Sequence, residues 1–249
     1  MKRFVEKSVL ITGAGRGLGQ QLALDFAREG ANVTVNYSSS AEAAEETVAR
    51  IKKADGQAMS CHADVACAEE VNAMVEQVVT TYGGVDILIN NAGLSIDAPF
   101  LELSENDWDQ VMGVNLKGPF LLSQAVGRYM VAAGHGRIVN ISANTAIQAR
   151  IGNANYTASK AGLNMLTQSM ALELGPQVNV NCVGLGFVDS PIVRELFTRE
   201  QLEQAKEDVP LKRMTTYEET SAFVLMLASD TASFMTGQTI PFDGGKVMR

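Results

Sequence analysis

The sequence predicts an α/β fold, a doubly wound parallel sheet of about seven strands with helices on both faces, on three observations. Apolar runs of four to six residues alternate with longer stretches of helical periodicity, the pattern of parallel strands joined by crossover helices. The first apolar run leads directly into a glycine-rich turn and a helix start. The 249 residues, 46% apolar and 19% charged, suit one large core without long disordered tails. A single domain over residues 1–249 is therefore expected.

In chain order, strands are expected at Ser8 to Thr12, Asn32 to Asn36, Ala58 to Cys61, Ile87 to Asn90, Arg137 to Ile141, Val178 to Val183 and Thr239 to Phe242. Helices are expected at Leu18 to Glu29, Ala41 to Ala54, Ala68 to Tyr82, Asp107 to Ala132, Thr157 to Leu174 and Glu218 to Leu227. Glu42, Glu45 and Glu46 open the helix from Ala41, where carboxylates suit the positive end of the helix dipole. The segment Asp189 to Pro210, rich in Glu, Arg and Leu, follows the sixth strand and reads as a lid over a substrate, with Phe187, Ile192 and Phe197 as an apolar wall.

Charge and cysteine content exclude several classes. A formal net charge of -8 without any offsetting Lys/Arg cluster repels nucleic acid. The three cysteines, Cys61, Cys67 and Cys182, are odd in number and lack metal-ligand spacing, so they read as reduced thiols, with no metal site expected. Met1 to Lys7 is charged and leads into an apolar run too short for a signal peptide or a membrane span, which makes the cytoplasm the expected compartment.

Thr12, Gly13, Ala14, Gly15, Arg16, Gly17, Leu18 and Gly19 join the first strand to the first helix. Glycines there let the backbone bend and approach a pyrophosphate, and the free N–H groups of the helix start stabilise the anion. A GxGxxG fingerprint would need glycine at Leu18; the spacing met is TGxxxGxG, by Thr12, Gly13, Gly17 and Gly19. The second strand ends in Asn36, Tyr37, Ser38 and Ser39, with no carboxylate to accept a ribose 2′-OH or repel a 2′-phosphate. Arg16 offers that phosphate a cationic fork, with the serines as added donors, so NADP(H) is the expected cofactor.

Tyr156 and Lys160 share a helix face at i and i+4. A free phenol, with a pKa near ~10, is a poor acid/base at neutral pH, and an adjacent ammonium is expected to lower it. Tyr156 would then protonate the alkoxide formed as hydride reaches a carbonyl, or deprotonate an alcohol in reverse. Asn90, Asn91, Ala92 and Gly93 close the fourth strand, where cofactor crevices open in such sheets, and Asn115 interrupts an otherwise apolar helix.

TGAGRGLG, NNAG, VNLKG, YTASK and TGQTIPFDGG, in this order, resemble the short-chain dehydrogenase/reductase family over nearly the whole chain, and the 3-oxoacyl carrier-protein reductase branch in particular. The resemblance implies that Asn91, Ala92 and Gly93 line the adenosine ribose and nicotinamide path and that Asp64 and Val65 flank the adenine. It also implies that Lys160 holds the nicotinamide ribose, that Asn115 holds a water linking Lys160 to solvent, and that Gly186 and Val188 contact the nicotinamide amide. A homotetramer is implied too, with Met165, Leu166 and Met170 suiting a twofold face.

Two positions depart from the family pattern. A substrate-orienting serine is usual thirteen residues before the tyrosine, where this chain has Ala143. Ser142, one residue early, should point to the other face of its strand, which leaves Asn144 or Thr145 as replacements. Leu185 stands where proline is usual, which should free the turn from strand to lid. The first departure raises an alternative: a catalytically weakened NADP-binding scaffold or sensor. A small-molecule carbonyl or alcohol is the expected substrate; an acyl carrier protein is disfavoured, because members of that branch offer basic residues to the acidic carrier and this chain does not.

Overall fold

The computed structural model describes residues 2–196 and 198–248. Seven parallel strands form one sheet in the order β3-β2-β1-β4-β5-β6-β7. They are β1 Ser8–Ile11, β2 Asn32–Tyr37, β3 Gln57–His62, β4 Ile87–Asn90, β5 Gly136–Ala143, β6 Val178–Leu185 and β7 Thr239–Phe242. The long crossovers contain α1 Gly17–Arg28, α2 Ala41–Lys53, α3 Ala68–Tyr82, α4 Glu105–Met112, α5 Gly118–Ala133, α6 Ala154–Leu174, α7 Pro191–Leu196, α8 Arg199–Glu207 and α9 Tyr217–Ala228.

Alternation along the strands builds two cores. Val9, Ile11, Ile87, Ile89, Val139 and Ile141 face a cluster with Leu22 and Phe26 of α1, Ile51 of α2 and Val224 of α9. Leu10, Leu88, Ile138 and Val180 face the opposite cluster, with Met74 of α3 and Leu122 and Met130 of α5. Both faces of a parallel sheet are thereby covered, which is why its strands read as continuous apolar runs. Strand order reverses between β1 and β4, both paired along their length, so a crevice opens beyond the carboxyl ends of these strands.

The helix expected from Asp107 to Ala132 is not continuous. A π-helical turn, Gly113–Lys117, separates α4 from α5. Glycines at 113 and 118 weaken the α-helix at both ends of the turn, and Asn115 inside it is tied to other segments, which holds the backbone out of α-helical register. The segment expected as a lid contains α7 and α8; Phe197 and the side chain of Ile192 lie outside the described residues. Among the described residues no helix is long and apolar enough to cross a membrane.

Candidate active site

Hydrogen bonds weld the two motifs flanking the crevice to each other. Thr12 Oγ1 accepts from the backbone N–H of Asn91 (3.0 Å) and of Ala92 (2.9 Å). Asn91 Nδ2 donates to the carbonyls of Thr12 (2.8 Å) and Gly13 (3.2 Å). The amide of Asn91 is therefore committed to shaping the glycine turn. Asn36, buried at the end of β2, has a similar part: its Oδ1 accepts from Gly13 N–H at 3.3 Å and its Nδ2 donates to the Ala63 carbonyl at 3.1 Å. Gln20 Nε2 pins the turn from beneath through the Gly15 carbonyl (3.2 Å) and Thr47 Oγ1 (2.8 Å).

The glycines meet two different needs. Gly17 opens α1 at φ +59°, a conformation L side chains rarely adopt. At Gly19 an added Cβ would press on the Gly13 carbonyl oxygen and lie 2.7 Å from Asn91 Nδ2, so the turn closes only around a hydrogen there. Side chains of Ser104, Thr198 and Thr216 cap α4, α8 and α9, whereas Arg16 at the N-cap of α1 gives no cap. The first-turn N–H groups of α1, like those of α2, α3 and α6, have no side-chain cap, and those of α1 begin at Gly17 in the glycine turn.

Above this turn lies a cavity of about 840 Å³, lined by Gly13, Arg16, Gly17, Asn36, Tyr37, Ser38, Asp64, Val65, Asn91, Ala92 and Gly93. Eleven positions expected from the sequence to bind cofactor thus line one space of dinucleotide size, with an uncapped helix start for a pyrophosphate and Arg16 with Ser38 and Ser39 near the end of β2. Leu18 and Gly19 instead pack inward. Tyr156, Lys160, Gly186 and Val188 lie outside the lining: Gly186 is packed against Asp243, and Val188 pairs with Thr215. No signal in the sequence marks Gln20, Gln21, Ser40, Ala63, Leu94, Val114, Glu195 and Tyr217 for the lining. Tyr217 comes from the first turn of α9, with its hydroxyl 3.2 Å from where a Cβ on Gly17 would stand, a meeting across 200 residues that no local signal announces.

Behind Gly93, outside the lining of the cavity, the sheet and α6 bring Asn115 and Lys160 together, with the Tyr156 ring beside Lys160. The ideal Cβ position of Gly93 is 3.7 Å from Asn115 Oδ1 and 3.8 Å from Lys160 Nζ. Asn115 Oδ1 accepts from Leu94 N–H (2.8 Å), and its Nδ2 donates to the Leu94 carbonyl (2.8 Å) and to Ser159 Oγ (3.1 Å), so the π-helical turn, the β4 exit and α6 are clamped at one residue. Lys160, 4% exposed, donates from Nζ to the Ile141 carbonyl of β5 at 2.8 Å, and the ammonium lies 5.6 Å from the centroid of the Tyr156 ring.

The electrostatics of the pair correct the sequence expectation. Burial pushes the Tyr156 phenol up to about 12; Arg150 lowers it and Asp97 raises it. Desolvation of the phenolate outweighs the attraction of the ammonium, whose Nζ lies 5.6 Å from the ring centroid, so the net shift of the phenol is upward. Burial also pushes Lys160 down to about 8. At neutral pH the arrangement holds a protonated phenol, the form that donates to a carbonyl oxygen, beside a cation that needs little energy to give up its proton.

Ser142 is directed away from this site, its Oγ donating to the Lys160 carbonyl at 3.3 Å, as the strand parity requires. Ala143 ends β5 with a methyl group where the family has its orienting hydroxyl. Asn144 Nδ2 is turned to Asp243 Oδ2 at 3.4 Å, and Thr145 Oγ1 is shielded and without a partner. Leu185 does not loosen the exit of β6: it is registered between Ala143 of β5 and Phe242 of β7, and the next N–H bonds the Phe242 carbonyl.

A family model described as enoyl-(acyl carrier protein) reductase matches residues 13–246. The chain is 40% identical over 245 residues to a 3-oxoacyl-[acyl-carrier-protein] reductase FabG of Staphylococcus epidermidis, covering 98% of this chain and all of the relative. It is 39% identical over 247 residues to the protein of that name from Thermotoga maritima, covering 99% of this chain and all of the relative. Among solved structures, the crystal structure of a dehydrogenase/reductase from Sinorhizobium meliloti superposes with a TM-score of 0.93 at 33% identity, over 99% of this chain and 97% of the other.

Proposed function

The chain belongs to the short-chain dehydrogenase/reductase family, and on that premise we propose that it is an NADP(H)-dependent reductase that converts a β-ketoacyl-type carbonyl to a secondary alcohol. The observation that carries this reading is the buried Lys160, its Nζ 3.8 Å from the Cβ position of Gly93 in the lining of the dinucleotide-sized cavity and 5.6 Å from the centroid of the Tyr156 ring. When bound, the nicotinamide supplies the hydride. Tyr156 gives its proton to the oxygen that the hydride leaves negative, and Lys160 stabilises the phenolate so formed. Asn115 keeps Lys160 and the β4 exit in place. Burial favours the acid form of Tyr156, the form that the reduction step requires of its proton donor.

Support for NADP(H) comes from Arg16, Tyr37, Ser38 and Ser39 in the lining and from the want of a carboxylate at the end of β2. Gly186 and Val188 are proposed for the nicotinamide end because they follow β6, next to the strand that holds Lys160. The segment 189–210 is proposed as a lid because it follows β6 and its Glu195 lines the cavity. A homotetramer fits the exposed Met165 on α6, whereas Met170, expected on the same face, is partly buried against the core. The net charge of -8 favours a free substrate over an acidic carrier protein, although the relatives' names point to the carrier.

The test is loss of NADPH absorbance with paired 3-oxoacyl and 2-enoyl thioesters and β-keto esters, for the parent and Tyr156→Phe. Turnover of the ketones and not of the enoyl compounds is expected, reduced roughly 10³-fold in the variant, with NADPH affinity retained. Binding of NADPH without turnover of any substrate would refute the reductase reading and leave a cofactor-binding scaffold.

A further inference from the structure

Tyr217 reaches the cofactor cavity from the far end of the chain. It is the first residue of α9, and it lines the cavity together with Arg16, Gly17, Gln20 and Gln21. Its hydroxyl oxygen lies 3.2 Å, and the ring carbon bearing it 3.6 Å, from the position a Cβ on Gly17 would take, so the phenol stands against the residue at which α1 begins. Two sets of contacts hold it there. Thr216 and Glu219 close a capping box at the start of α9, and Arg213 grips both carboxylate oxygens of Glu219 at 2.7 Å. One turn further on, Ser221 Oγ donates to Asp25 Oδ2 at 2.7 Å, and Gln21 Nε2 donates to the same oxygen at 2.8 Å, which fastens α9 to α1. The phenol O–H itself has no hydrogen-bond partner among the described residues.

A phenol carries one donor, and the backbone N–H groups from Gly17 onward carry others that no side chain caps. Both kinds of donor meet in one stretch of the cavity, and a group with several anionic oxygens satisfies them together. Resting on the reading of this cavity as a dinucleotide site, we propose that Tyr217 is a cofactor-binding residue whose hydroxyl donates to a pyrophosphate oxygen. A bond from a neutral O–H to an anionic oxygen is short and strong, and little side-chain freedom is lost in making it, because α9 already fixes the ring. Arg16 addresses the 2′-phosphate that distinguishes the two dinucleotides, whereas Tyr217 addresses the part they share. Tyr217 therefore adds affinity without choosing between them.

The experiment titrates NADPH, NADH and adenosine 2′-monophosphate into the parent and Tyr217→Phe by calorimetry, with the melting temperature of each ligand-free protein measured alongside. The third ligand carries the adenine and the 2′-phosphate without a pyrophosphate. Removing the phenol oxygen should raise Kd for NADPH and for NADH by roughly 10-fold each, leave adenosine 2′-monophosphate within about twofold, and leave the melting temperature unchanged, since the hydroxyl has no partner in the protein. Arg16→Ala supplies the contrast, its loss falling on NADPH and adenosine 2′-monophosphate and not on NADH. Equal Kd values in parent and Tyr217→Phe, tighter dinucleotide binding in the variant, a loss that extends to adenosine 2′-monophosphate, or a melting temperature that falls with the affinity overturns the proposal and leaves the dinucleotide reading intact. A parent that binds neither dinucleotide overturns both.

Discussion

Replacing Lys160 with methionine removes a cation that folding takes out of water. The side chain is 4% exposed, and burial lowers the ammonium from the ordinary 10.5 to about 8. That gap of about 2.5 pH units corresponds to about 3 kcal/mol against the folded state at pH values below the folded pKa, at about 1.36 kcal/mol per unit. Between pH 8 and 10.5 the unfolded chain binds the proton and the folded chain does not, so the penalty fades and stability rises with pH through this window. Methionine has no such term. It also leaves the Ile141 carbonyl without Nζ, a cost of about 1–3 kcal/mol that is the same at every pH and offsets much of the gain at neutrality. The measurement is therefore a double difference: urea unfolding of parent and Lys160→Met at about pH 7 and about pH 9.5, at one protomer concentration. The parent should gain about 2 kcal/mol on the variant between the two. The Cys182 thiol, which burial pushes up to about 11, is lowered by Lys160, so the same pair is compared with Cys182→Ala in both proteins to remove its contribution. A stability difference that does not move with pH would refute the claim that Lys160 is held in the fold at the expense of its charge.

Arg16→Ala should weaken NADPH binding by roughly 10- to 100-fold and leave NADH unchanged in a fluorescence titration, since one charge-assisted contact is lost; an unaltered ratio of the two affinities would remove the 2′-phosphate assignment. Gly19→Ala should cost about 1–3 kcal/mol and weaken the dinucleotide as well, because the new methyl must displace the Gly13 carbonyl or the Asn91 amide; an unshifted melting temperature with unchanged Kd would show that the turn yields freely. Ala143→Ser places a hydroxyl at the end of β5 on the face opposite Ser142 and should raise kcat by up to roughly 100-fold at constant NADPH affinity; no gain would mean that another group already orients the substrate.

The strands and the glycine turn were legible because their signals are local. An unbroken apolar run marks Val9, Leu10 and Ile11 as a strand covered on both sides, and TGxxxGxG marks a bend and a helix start with free N–H groups. The opposite facing of Ser142 and Ala143 followed from strand parity alone. The break at Gly113–Lys117 was not legible, since Asn115 leaves α-helical register only because Leu94 and Ser159 hold it from elsewhere in the chain.

Residue order along the chain determined which elements form, in what succession, and that Tyr156 and Lys160 share a face, because these depend on neighbours a few positions away. Tertiary structure alone decided that Asn91 and Asn36 shape the turn, that Tyr217 crosses to Gly17, that Arg150 meets Asp97, and that Tyr156 keeps its proton. The physical reason is common to all four: hydrogen-bond partners and exclusion of water are supplied by segments remote in sequence, and the direction of a buried group's pKa is set by what surrounds it rather than by what precedes it.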